Sequence, residues 1–271
     1  MQGPIAQIMS LTLAGNAAAR GHDLGSYWPD DDAFKFCRSI RFFDGSADEP
    51  DDRLTLIAGD PGLWLRHFGA SGARVLLTFG SSARSGLSDR LSVGFVGGGG
   101  VWSMTVAGAT PVAGTWQAHW CVGDRQAADR RIWEVGYFRQ SAAAEMPASD
   151  QPRLPDLVVA LETTLGAIAD FAYRQNLAQF GDCFVRARHL LVDTSVAPAR
   201  PEIDPFGLLP ASALRLLMAS EAAWVFGGMG SWNDLGFSGA DGQLYERLSD
   251  DLFGLLTQTM VAAVNQAATP G

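Results

Sequence analysis

Two hydrophobic periods divide the chain, and the order in which they occur restricts the fold more than any other feature. Between residues 74 and 139, apolar and polar side chains alternate in short runs bounded by glycine, proline or charged turns, the pattern of half-buried strands. Ahead of them, Pro4 followed by Ile5, Ile8, Met9 and Leu13 predicts an amphipathic helix over residues 4–20, closed by Gly21. Beyond residue 155 the spacing changes to that of a helix. Leu157, Leu161, Leu165, Ile168 and Ala172 form one stripe, which Phe180, Phe184 and Leu191 carry past Gly181. Leu214, Leu217, Met218 and Trp224, then Tyr245, Leu248, Leu252, Leu255, Leu256 and Met260, predict two further helices.

A helix, a run of strands and a run of helices is the segregated α+β order, not βαβ alternation. The expected architecture is an N-terminal helix, an antiparallel β-meander of about five to seven strands and a C-terminal group of amphipathic helices. Strands are expected at residues 34–43, 54–58, 74–80, 91–97, 101–107, 115–122 and 131–139, with helical turns at 61–68. Gly97 to Gly100 reads as the tight reversal of the meander. Pro147, Pro152 and Pro155, among Ala, Ser, Glu and Asp, mark a break. Residues 1–145 are then the helix and sheet, 146–155 the connection and 156–271 the helical part, which is a second domain or a second layer of the same one.

Parity separates the faces of the meander, since alternate side chains point to opposite sides. Trp102, Met104, Val106, Trp116, Trp120, Val122, Trp133, Val135 and Tyr137 form the expected core face. The other face carries Ser103, Thr105, Gln117, His119, Cys121 and Glu134. A thiol, an imidazole and a carboxylate on one face have the residue types of nucleophilic cysteine catalysis, so His119, Cys121 and Glu134 are the catalytic candidates. Strand neighbours stand about 6.5–7 Å apart with parallel Cβ directions, which argues against a direct Cys121 to His119 hydrogen bond.

The second candidate lies between the last two helices, where Gly227, Gly228, Gly230, Ser231, Trp232, Asn233 and Asp234 follow Phe226. Glycines at three of four positions permit left-handed dihedrals and close backbone approach. Exposed N–H groups with Ser231 and Asn233 would make a nest for an anion or a carbonyl; otherwise the segment is a tight corner whose aromatics pack on the helices.

Composition removes several functions. Lys35 is the only lysine among 20 basic residues, so a Gly-Lys-Ser/Thr phosphate loop and a Ser-x-x-Lys acylase are both excluded. A net charge of −9 opposes attraction to nucleic acid or anionic membranes. Cys37, Cys121 and Cys183 are too scattered for a disulfide framework or a Cys-x-x-Cys pair, which fits a reducing compartment. His22, His67, His119 and His189 show no zinc spacing, and the acidic run Asp30, Asp31 and Asp32 lacks the glycine of a calcium loop and reads as a solvated turn. No apolar run is long enough to span a bilayer.

The sequence thus describes a soluble, cytoplasmic, non-catalytic binding or interaction module with a small-molecule or protein partner. No cofactor, metal, nucleic acid or membrane is expected. The alternative is a hydrolase-type enzyme with a small-molecule pocket between sheet and helices, using His119, Glu134, Ser231, Asn233 and Asp234.

Overall fold

A computed structural model describes residues 3–25, 27–82, 86–141, 152–195, 197, 198, 202 and 204–269. The expected connection at 146–155 falls largely outside them. Among the described residues the fold is mixed α+β, with eight α-helical segments and one six-stranded sheet in the order β2-β1-β6-β5-β4-β3.

The first helix, α1 (Gly3–Ala19), lies on the inner face of the sheet against β3 and β4. It is not amphipathic. Nearly every residue from Ile5 to Ala19 is buried, as in a helix enclosed on all sides. Its polar side chains have internal partners. Thr12 Oγ1 donates to the Ile8 carbonyl at 2.7 Å, and Gln7 and Asn16 reach other elements. Gly21, at φ 78°, follows its end.

After α2 (Tyr27–Asp30) and a 3-10 turn at Asp32–Phe34 come β1 (Cys37–Asp44), β2 (Thr55–Ala58) and the short α3 (Pro61–Arg66). Asp60 Oδ1 caps α3 by accepting the Leu63 N–H at 2.7 Å, with Pro61 in its first turn. Then β3 (Arg74–Gly80), α4 (Asp89–Ser92), β4 (Val101–Ala107), β5 (Gly114–Val122) and β6 (Trp133–Ser141) complete the sheet.

The run β3-β4-β5-β6 is an antiparallel meander. The whole sheet is not antiparallel, because β1 pairs with β6 in parallel, from Cys37 opposite Trp133 to Asp44 opposite Arg139. The pairing is fixed by side chains: Phe43 stacks on Phe138 at 5.3 Å, Phe42 on Tyr137 at 5.1 Å, and Arg139 Nε donates to Asp44 Oδ1 at 2.9 Å. Alternation has the same period in both strand directions, so parity could not reveal this.

Residues 91–97 are not a strand. Ser88 Oγ accepts the Leu91 N–H at 3.3 Å and starts α4 instead. Gly97 to Gly100 is consequently not a hairpin turn but the end of the connection between β3 and β4. A Cβ on Gly98 would stand 1.9 Å from the Ser92 carbonyl oxygen, so the connection closes on itself at a contact only glycine permits.

The helices α5 (Leu154–Arg174), α6 (Ala178–Val192), α7 (Ala211–Ala223) and α8 (Gly239–Val264) pack together, and α8 also borders β3. One cluster of buried apolar side chains includes residues of α1, the sheet and all four of these helices. No helix among the described residues is long and apolar enough to cross a membrane.

The outer edge of β3 is closed by side chains. Asn16 of α1 accepts the Val75 N–H at 3.0 Å and donates to its carbonyl at 2.7 Å. Asn265, at the end of α8, does the same for Leu77 at 2.7 and 2.9 Å. Each amide stands in for a residue of a neighbouring strand.

Candidate functional site

Where the first turns of α1 meet the ends of β5 and β6, a cleft of about 770 Å³ opens. Five parts of the chain build it: α1, residues 31–37, residues 93–96, the strand residues Trp120 and Trp133, and the acidic pair Glu202 and Glu221. Its depth follows from local structure. Phe34, fully buried, packs edge-on to Tyr27 and Trp28 at 5.1 and 5.3 Å and pins residues 31–37 beside α1. Asp31 Oδ1 accepts the Ala33 N–H at 2.9 Å, which holds the turn.

Electrostatics on this wall are set by burial. Asp31 has its carboxyl raised above the ordinary range, first by desolvation; the Ala33 N–H opposes this and nearby Asp32 adds to it. The Cys37 thiol, buried beneath the cleft, is pushed up to about 11, chiefly by desolvation. It accepts from Gln7 Nε2 at 3.3 Å, and Gln7 Oε1 accepts in turn from the Tyr137 hydroxyl at 3.1 Å. Tyr27 shares a 2.8 Å hydrogen bond with Ser10, and burial raises both phenols well above their ordinary value. The Cys37 thiol and the two phenols are neutral at physiological pH.

The aromatic walls are Trp120 and Trp133, which meet edge to face at 5.9 Å, and Phe36, over whose ring Lys35 Nζ stands at 5.4 Å. Trp120 Nε1 is buried and has no hydrogen-bond partner among the described residues. Phe95 and Val96, 69% and 59% exposed, form the rim.

The glycine turn touches this wall from behind. A Cβ on Gly94 would lie 2.6 Å from the Gly227 carbonyl oxygen, so the two backbones are in direct contact. Among the turn's glycines the left-handed dihedral falls on Gly230, at φ 81°, and not on Gly227 or Gly228. Ser231 Oγ donates to the Gly227 carbonyl at 3.1 Å, and Asp234 accepts the Gly230 N–H. Asn233 Nδ2 donates to the Arg90 carbonyl at 2.7 Å, while its Oδ1 accepts from the Arg90 guanidinium at 3.2 Å. Arg90 is itself buried and ion-paired to Glu246 and Asp250.

Trp232 is fully buried among Phe171, Phe180, Phe184 and Tyr245, with Nε1 donating to Ser249 Oγ at 2.7 Å. The turn therefore delivers a tryptophan into the middle of the helices.

The sheet candidates lie together on the outer face. Cys121 pairs across the ladder with Glu134, and His119 with Gly136. Contrary to the expectation from strand spacing, Cys121 Sγ and His119 Nδ1 approach to 3.4 Å, because side-chain rotation brings them closer than their Cβ atoms. His119 and Cys121 are exposed, and Glu134 turns to Arg41 at 3.9 Å. Within the expected core face Val122 is 40% exposed, because the strand has run past the packed layer there, and on the outer face Ser103 and Thr105 are buried. Among the described residues no group of three or more His, Cys, Asp or Glu side chains is arranged to hold a metal ion.

Sequence reading passed over the cleft. Asp31 was hidden in an acidic run that looks like a solvated turn, and Trp120 and Trp133 were counted as core. The one available signal was aromatic density beside that run, in Tyr27, Trp28, Phe34 and Phe36. No protein-family model, curated protein or solved structure matches the chain.

Proposed function

We propose that the protein is a binding module that takes a small organic molecule in the cleft between α1, residues 31–37 and the Trp120–Trp133 wall, without transforming it. The observation that carries this is the cleft itself. About 770 Å³, walled by aromatic and aliphatic side chains with a few polar groups, matches the size and make-up of small-molecule sites. Burial keeps the Cys37 thiol protonated, which suits a wall and not a nucleophile. The turn from Gly227 to Asp234 serves as a brace for residues 93–96 through the Gly94 contact.

A hydrolase-type reading is favoured by one observation, a carboxyl on the cleft wall, Asp31, partly withdrawn from water and raised above its ordinary range, as a proton carrier requires. Its test is turnover of an ester and amide panel, abolished in Asp31→Ala.

The binding reading is tested by thermal shift against a panel of metabolites. A ligand at a hundredfold excess over Kd adds about 2.7 kcal/mol, or roughly 5–10 °C for a chain of this size. Ala6→Phe, which fills the cleft from α1, is expected to remove that shift. A silent panel, or a shift that Ala6→Phe leaves intact, would count against the cleft.

A further inference from the structure

We infer that the cleft selects organic cations, an ammonium group on a compact aromatic or apolar body, with the charge toward Asp31 and the body against Trp120, Trp133 and Phe36. This rests on the reading of the cleft as a small-molecule site and adds the chemistry of its ligand.

The first ground is an uncompensated carboxylate. Asp31 stands on the cleft wall, and among the described residues its side chain accepts only the Ala33 N–H, with no Lys or Arg paired to it. Partial burial has stripped water from it without supplying a countercharge, which is why its carboxyl is held above the ordinary range. A bound ammonium would supply that charge.

The second ground is that the chain already makes this arrangement with a cation of its own. Lys35 Nζ lies over the Phe36 ring at 5.4 Å and reaches Asp32 Oδ1 at 3.5 Å. Carboxylate, ammonium and aromatic face occur together one residue along from Asp31. The third ground is the Trp120–Trp133 pair, because tryptophan offers the strongest aromatic face to a cation.

Against an anion, the magnitudes are unequal. The N-terminus of α1 borders the cleft with the equivalent of about half a positive charge, and Pro4 has no N–H to donate. Lys35 is occupied by Asp32. Opposed to these stand the Asp31 carboxylate, those of Glu202 and Glu221, which have partners of their own, and a chain of net charge −9.

The test compares three probes of one shape at neutral pH by calorimetry: 2-phenylethylammonium, 2-phenylethanol and 3-phenylpropionate. The ammonium is expected to bind about tenfold more tightly than the alcohol, and the carboxylate most weakly. Asp31→Asn keeps the oxygen that accepts from Ala33 and removes a desolvated charge, so it folds. In it the ammonium should fall to the affinity of the alcohol, with the alcohol unchanged. Phe36→Leu, which preserves apolar bulk without a ring, should reduce the ammonium's advantage a few-fold.

Equal affinities, or tightest binding by the carboxylate, with Ala6→Phe still blocking them, would overturn the cation assignment and leave the site standing. Binding by none of the three would also overturn it. The site reading would fall with it if the broad panel were silent as well, or if Ala6→Phe left every shift intact.

Discussion

Two cysteines of this chain sit in opposite environments, and the contrast can be measured. Cys37 is buried against Gln7 with its thiol pushed up to about 11, whereas Cys121 is exposed beside His119 Nδ1. Reaction with an alkylating reagent proceeds through the thiolate and requires access, and Cys37 is denied both. Iodoacetamide at neutral pH is expected to label Cys121 in the folded protein and Cys37 only after unfolding, as read by peptide mass spectrometry. Labelling of Cys37 at a comparable rate would mean that the cleft floor opens far more than its packing allows. On the outer sheet face, where His119, Cys121 and Glu134 gather, His119 and Cys121 stand in water, where electrostatic effects are weak.

At the scale of elements, the closure of the β3 edge makes a sharp prediction. Asn16→Ala or Asn265→Ala would each leave one N–H and one C=O of β3 without a partner. Each should cost about 2–4 kcal/mol in chemical denaturation, with faster hydrogen exchange at Val75 or Leu77 respectively. Unchanged exchange at those amides would show that the side-chain bonds do not protect the edge. These two asparagines also explain what the sequence did and did not disclose. Helix and strand periods located α1, the meander, α7 and α8, because periodicity is a local property; the single stripe expected from Leu157 to Leu191 is broken into α5 and α6 where Asn176 takes a left-handed φ of 59°. The amphipathic helix expected at α1 is buried on all sides because Asn16 and Gln7 find their partners, Val75 and Tyr137, on strands far along the chain. The parallel union of β1 with β6 was hidden for the same reason. The glycine turn was visible as a corner with aromatics at its ends, but the burial of Trp232 depends on Phe171, Phe180 and Phe184 arriving from α5 and α6. The cleft was the least legible feature, since residues as distant as Ser10, Asp31, Phe95 and Trp133 meet only in the folded state.

For the molecule as a whole, pH acts through carboxylates displaced in opposite directions. The guanidinium of Arg139 hydrogen-bonds Asp44 and lowers its folded pKa below the unfolded value. That stabilisation is complete above about pH 4 and is lost as the pH falls through the lower folded value. Asp31, raised by burial, has the reverse sign: protonation relieves its desolvated charge, so its contribution improves as the pH falls through its raised folded value toward the unfolded one. Melting temperatures recorded from about pH 6 down to about pH 3 should therefore fall less steeply at the acid end for Asp44→Asn than for the wild type. Parallel curves would mean that the β1–β6 ion pair is too well solvated to matter. The sealed side of the sheet sets a further limit. Its β3 margin is occupied by asparagine amides, so backbone pairing with another chain is left to the short β2 margin, where Leu56 is exposed. A sheet with a single open margin can join one other copy, and the pair then has no margin left to offer. Edge pairing of such a sheet would stop at two copies and could not build an endless ribbon.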